Sequence, residues 1–285
     1  MYPLGCKLGE SPVWHKERRS CFWVDIEGKK LYEYNWAEKT IQCHEFEYRI
    51  SLIVPGQDGN VFLGLQGGVG KYNLDSGNLS WVTDLGVDWK NHRCNDGACD
   101  RKGRLWIGTM ELNCKKEAGS VYCIEKNELV EKKIEKVSIS NGLAWSADNK
   151  RLYYTDSLTH EIWSFMYDGN SGNIVFEKIA VRVPEEMGIP DGMAMDEEGM
   201  LWVALWGGFG VGRWNVLTGE MIDFIRLPVP HVSSCAFAGD ELDQLVITTA
   251  REGMNDDQLA QYPESGHIFI VNPGVKGLPR FCTSL

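Results

Sequence analysis

Asp100-Arg101-Lys102-Gly103, a turn built on Asp and Gly, leads through Arg104 into Leu105-Trp106-Ile107-Gly108, an aromatic and β-branched run that ends on a small residue. The same phrase recurs as Cys21-Phe22-Trp23-Val24, Val61-Phe62-Leu63-Gly64, Leu152-Tyr153-Tyr154-Thr155, Leu201-Trp202-Val203-Ala204 and Leu245-Val246-Ile247-Thr248. The six copies begin at 21, 61, 105, 152, 201 and 245, so they step by 40 to 49 residues. Most are preceded by turns such as Asp58-Gly59-Asn60, Asp148-Asn149 and Gly239-Asp240, and all are followed by a further strand-like run such as Lys30 to Asn35 or Glu161 to Tyr167. No segment carries an apolar stripe of helical period over three turns. A period of 40 to 50 residues with about four strands is what a propeller blade needs, because a lone blade has two apolar faces that only neighbouring blades cover. The expected fold is all-β: a single six-bladed β-propeller domain over residues 1–285, with four-stranded antiparallel blades around a central channel. The eleven tryptophans, spread among the repeats, are expected to fill the spaces between blades.

Composition narrows the function. At 43% hydrophobic and 24% charged, the chain can bury a large core. No apolar run of about eighteen residues exists, so no membrane partner is expected. A net charge of −11 without a dense basic run makes nucleic acid an unsuitable partner. The start of the chain has neither a basic segment before a long apolar run nor a cleavage site, and the nine scattered cysteines include no Cys-x-x-Cys pair. Free thiols in a cytoplasmic protein, a monomer or weak homodimer, are the expectation.

In a propeller the first strand of each blade lines the channel. Ten or eleven residues before each phrase stand Glu10, Ser51, Asn95, Asn141, Asp191 and Ser234, all polar and mostly followed by small residues. The repeat superimposes these positions, so side chains more than a hundred residues apart meet at one height. Crowded oxygen donors repel and desolvate one another unless a cation lies between them. Such a set suits Ca²⁺, Mg²⁺ or Mn²⁺, and also Fe²⁺ or Zn²⁺; a hydrogen-bonded polar ring without metal is the alternative. There is no Gly-x-Ser-x-Gly elbow, and none of the six histidines falls at a channel position, so a Ser-His-Asp mechanism has no support. His92 and His231 are read as ordinary loop residues, with a place at the channel mouth as the alternative.

The phrases Leu8-Gly9-Glu10-Ser11-Pro12-Val13-Trp14, Asn91 to Gly97, Gly103 to Met110, Ser140 to Ser146, Ile189 to Met193 and Thr249 to Met254 resemble the senescence-marker-protein, gluconolactonase and luciferin-regenerating-enzyme family, which includes regucalcin and bacterial sugar lactonases. The resemblance runs from about residue 8 to 275. It implies a six-bladed propeller with one divalent metal on Glu10, Asn141 and Asp191, and substrate contacts from Arg93 and Asn95. The acidic contact that the family often carries shortly after Gly-Thr-Met has no direct counterpart: here a shorter loop follows Met110, with Asn113 at that position and Glu111 or Glu117 as substitutes. Leu205 to Gly210 and Gln258 to Pro263 look more like the bacterial aldonolactonases. The implied activity is hydrolysis of a sugar lactone, an aldono-1,4- or 1,5-lactone, with the metal polarising the carbonyl and Asp191 assisting attack by water. A regucalcin-like calcium-binding regulator and a non-catalytic interaction scaffold are the alternatives, since a fold does not by itself decide function.

Overall fold

The computed structural model describes residues 2–126 and 129–285. Six antiparallel sheets stand around one axis, five of them four-stranded and each built from consecutive strands. Their inner strands are Gly9–His15, Ile50–Pro55, His92–Cys99, Ser140–Trp145, Ile189–Met195 and Val232–Ala238. Each inner strand packs on the next, and the last packs on the first, closing the ring. The six repeated phrases form the second strand of each blade.

Blade 6 departs from the four-stranded expectation: it has three strands, Val232–Ala238, Gln244–Thr249 and Phe269–Val271. The start of the chain completes it. The Tyr2 N–H donates to the Ile268 carbonyl (2.8 Å), the Ile268 N–H donates back (3.1 Å), and the Cys6 N–H donates to the Gly266 carbonyl (2.8 Å). The first segment and the last blade thus share one sheet, which fastens the ring where the repeat itself has no covalent link. One short α-helix, Asp256–Gln261, follows the second strand of this blade and starts on an Asn255 capping box.

The core is divided among six apolar clusters, one in each space between adjacent blades. Trp23, Trp106 and Trp202 are fully buried there, as the spread of tryptophans predicts. Trp106 and Trp202 also solve a polar problem. Their indole N–H groups donate to the buried carboxylates of Asp100 and Asp196 (both 3.0 Å), which Arg104 and Arg213 neutralise from the side (2.6 and 2.8 Å). Breaking such a buried charge pair from one side typically costs about 3–5 kcal/mol.

One end of the channel is crossed by the C-terminal segment. Leu278 donates to the Met195 carbonyl (3.0 Å), Thr283 to Pro55 (2.8 Å) and Ser284 to Gly103 (3.0 Å), so this strap ties blades 5, 2 and 3 together. Two largely apolar cavities of about 300 and 410 Å³ flank it. The polar channel residues open at the other end. All nine cysteines are free, and no helix is long and apolar enough to cross a membrane among the described residues.

Candidate active site

A β-bulge interrupts the pairing of every inner strand with its neighbour at the channel position: between Glu10 and Val13, Ile50 and Leu52, Asn141 and Leu143, Pro190 and Met193, and Val232 and Ser234, while in blade 3 Asn95 and Asp96 lie between the paired Cys94 and Gly97. An extra residue on one strand re-aims the side chains around it, and here it turns polar groups toward the axis. Small residues make the crowding possible. A Cβ on Gly192 would lie 2.0 Å from Ser234 Oγ, and Gly142 sits at φ +29°.

Glu10, Asn141 and Asp191 meet in one cavity of about 370 Å³, together with Arg93 and Asn95. All five are buried. A chain of hydrogen bonds fixes the amides: Ser157 Oγ donates to the Pro190 carbonyl (2.7 Å), Asn141 Nδ2 donates to Ser157 Oγ (2.8 Å), and Asn95 Nδ2 donates to Asn141 Oδ1 (2.9 Å) and to the Ser140 carbonyl (2.7 Å). The Asn141 oxygen is therefore held toward its neighbours in the channel. Arg93 is anchored by donation to the Cys94 carbonyl (3.0 Å) and to Asn95 Oδ1.

The carboxylates are under electrostatic stress. Burial, and then the charges of Asp191 and Asp96, push the Glu10 carboxyl well above the usual range; burial and Asp96 do the same to Asp191. Glu10 accepts one hydrogen bond, from the Ser11 N–H (3.0 Å), while Asp191 Oδ1 is buried with no partner among the described residues. Asp96 lies on the strap side, where burial raises its carboxyl and Arg280 of the strap is the opposing charge. Two buried acids, an orphaned carboxylate oxygen and a fixed amide oxygen form a donor set of hard oxygens, and this set fits a divalent cation. No group of three His, Cys, Asp or Glu side chains offers another metal site among the described residues.

Glu111 and Asn113 lie elsewhere. Glu111 accepts from the Asn113 N–H (2.8 Å), Asn113 Nδ2 (3.0 Å) and the Lys115 N–H (3.2 Å), ordering a loop whose Met110, Leu112 and Cys114 line the cavity while Glu111 and Asn113 do not. The remaining channel positions, Ser51 and Ser234, are buried outside that lining as well.

A family model described as SMP-30/Gluconolactonase/LRE-like region matches residues 8–251. The chain belongs to this family. It is 35% identical over 285 residues to regucalcin of Oryctolagus cuniculus, covering 98% of this chain and 95% of the relative. A luciferin-regenerating enzyme superposes with a TM-score of 0.91 at 29% identity, covering 99% of this chain and 97% of that one. A calcium-binding protein, regucalcin, from Agrobacterium tumefaciens superposes at 0.92 and 26% identity, covering 99% and 94%. Lactonase-type or regucalcin-like function follows for the family member at this level.

Several residues of this family member's site escape a reading by repeat phase. Ser157 lies just past the second strand of blade 4, and Trp206 ends the second strand of blade 5 with its ring stacked on His231 (4.3 Å, 9°). Glu27, Arg49 and Glu252 come from turns between strands and blades. The one available signal is that the ends of second strands face the same channel mouth as the starts of first strands.

Proposed function

We propose that this protein opens the ring ester of a small sugar lactone, an aldono-1,4- or 1,5-lactone, giving the aldonic acid, with a divalent cation held by Glu10, Asn141 and Asp191. The observation that carries the proposal is the buried Asp191 Oδ1, without a partner among the described residues, beside Glu10 and Asn141 in a cavity that also presents Arg93. A divalent cation, when bound, supplies Lewis-acid polarisation of an ester carbonyl and acidifies water. The protein's own groups do the rest. Asp191 takes the proton of the attacking water as its oxygen bonds to the carbonyl carbon, and the ring C–O bond breaks with the proton passing to the departing alkoxide. Arg93, pinned at the Cys94 carbonyl, donates to substrate hydroxyls from a fixed position, and Asn95 holds both Arg93 and Asn141 in place. A cavity of about 370 Å³ suits a single sugar ring.

A panel of aldono-1,4- and 1,5-lactones against Ca²⁺, Mg²⁺, Mn²⁺, Fe²⁺ and Zn²⁺, read by acid release, tests the proposal. Metal-dependent opening of at least one lactone is expected. The regucalcin relatives, one of them described as calcium-binding, support a second reading in which the same ligands serve a calcium-binding regulator. Tight calcium binding without turnover of any lactone in any metal would favour it.

A further inference from the structure

Six charged side chains line the cavity: Glu10, Glu27, Arg49, Arg93, Asp191 and Glu252. Most are committed. Glu10 and Asp191 form the proposed metal set. Glu27 is bound by Arg49, whose Nε donates to its carboxylate (2.7 Å) while Nη1 donates to Gln66 Oε1 (3.0 Å). Arg93 is anchored as described. Glu252 differs, because its carboxylate accepts no hydrogen bond and closes no ion pair among the described residues. Its backbone is nevertheless firmly held, while the residue itself stays exposed. The N–H groups of Arg251 and Glu252 both donate to the Lys7 carbonyl (2.9 Å each), Met254 closes the turn onto the Arg251 carbonyl (3.1 Å), and Arg251 Nε donates to the Ser265 carbonyl (2.7 Å). Of the charges acting on Arg93, that of Glu252 is the largest, although the two form no direct bond.

We infer that Glu252 is the hydroxyl-accepting carboxylate of this cavity, working with Arg93 as a donor and acceptor pair that grips a polyhydroxylated ring. The inference rests on the lactone reading of the site. A carboxylate carried on a fixed backbone turn, facing a cavity and without a protein partner among the described residues, is open to a ligand hydroxyl, and a charge-assisted hydrogen bond of that kind is stronger than a neutral one. Arg93 cannot play this part, since a guanidinium only donates. Electrostatics also select the ligand's charge. With Asp96 and Arg280 included, the axis sets four carboxylates, Glu10, Asp96, Asp191 and Glu252, against the guanidinium groups of Arg93 and Arg280. A divalent cation balances that excess and leaves none for an anionic ligand, so the substrate class is a neutral polyol lactone.

The test uses Glu252→Gln, which keeps the shape and loses the charge, and Glu252→Asp, which keeps the charge one methylene short. In metal-loaded protein, kcat/KM is measured for D-glucono-1,5-lactone and for the unsubstituted six-membered δ-valerolactone, and binding of D-glucitol, which has no ester, is measured by calorimetry. For Glu252→Gln the ratio of the two kcat/KM values is expected to fall roughly tenfold to a hundredfold, mainly through KM, and D-glucitol binding to weaken by a similar factor, with Glu252→Asp between it and wild type. An unchanged ratio, or D-glucitol binding that is undiminished in the Gln variant or absent in wild type, overturns the inference. If wild type opens no lactone at all, the lactone reading fails separately, and the D-glucitol arm alone decides the role of Glu252.

Discussion

Replacing Asp191 by Asn should stabilise the metal-free protein while removing its response to metal. In the fold, Asp191 Oδ1 is buried without a partner among the described residues and shares the cavity with the ionisable Glu10. An unsatisfied buried polar atom costs about 1–3 kcal/mol, more when charged, and the amide removes both the charge and its repulsion with Glu10. In chelator the variant should therefore melt above wild type by several degrees, at about 2–4 °C per kcal/mol for a chain approaching this size. Metal at a hundred times Kd should reverse the order, because wild type then gains about 2.7 kcal/mol and the variant little. The pH dependence has a definite sign. The folded state raises the carboxyl pKa of Glu10 and Asp191, so ionising them penalises the fold: the penalty is absent below the ordinary carboxylate range and complete above the raised values. The gap in chelator should be wide at pH 8 and close toward pH 4. Differential scanning fluorimetry with chelator, Ca²⁺ and Mn²⁺, alongside acid release from gluconolactone, gives both readouts. A variant that melts below wild type in chelator, that keeps the full metal-induced shift, or that retains more than about a tenth of kcat (under ~1.4 kcal/mol of transition-state loss) would refute the reasoning.

Arg93→Ala should lower kcat/KM for hydroxylated lactones roughly tenfold to a hundredfold and spare δ-valerolactone by comparison; equal losses on both would assign Arg93 to the carbonyl or to site structure. Arg280→Ala removes the charge facing buried Asp96 and a donor to the Met193 carbonyl (3.2 Å), so urea titration should report a loss of about 1–3 kcal/mol; unchanged stability would mean that the strap is dispensable. Arg151 and, less strongly, Ser164 hold the Glu177 carboxyl down to about 2, so this pair contributes stability above the ordinary glutamate range and loses it as pH falls. Glu177→Gln should accordingly lower Tm at pH 7, with the difference from wild type shrinking between pH 5 and pH 3.

The recurrence of Leu105-Trp106-Ile107-Gly108 at a spacing of 40 to 49 residues was enough to read the propeller, and phase within that repeat was enough to bring Glu10, Asn95, Asn141 and Asp191 to one channel. Both readings work because blades superimpose: a position in one repeat predicts the place of its equivalent in the others. The sequence also decided, through its apolar second strands and tryptophans, that the core would lie between blades. Tertiary structure alone decided the rest. The completion of blade 6 by Tyr2 and Cys6, and the strap that sets Arg280 against Asp96, join segments with no repeat phase between them. The same holds for the cavity wall. Glu111 is adjacent to the Gly-Thr-Met phrase yet spends its oxygens on the Asn113 and Lys115 N–H groups, whereas Glu252, from blade 6 and half the ring away in sequence, is carried to the cavity by a turn anchored on Lys7. Loops leave the sheet in directions that strand periodicity does not encode, so which carboxylate reaches the channel mouth is settled by backbone hydrogen bonds between distant turns.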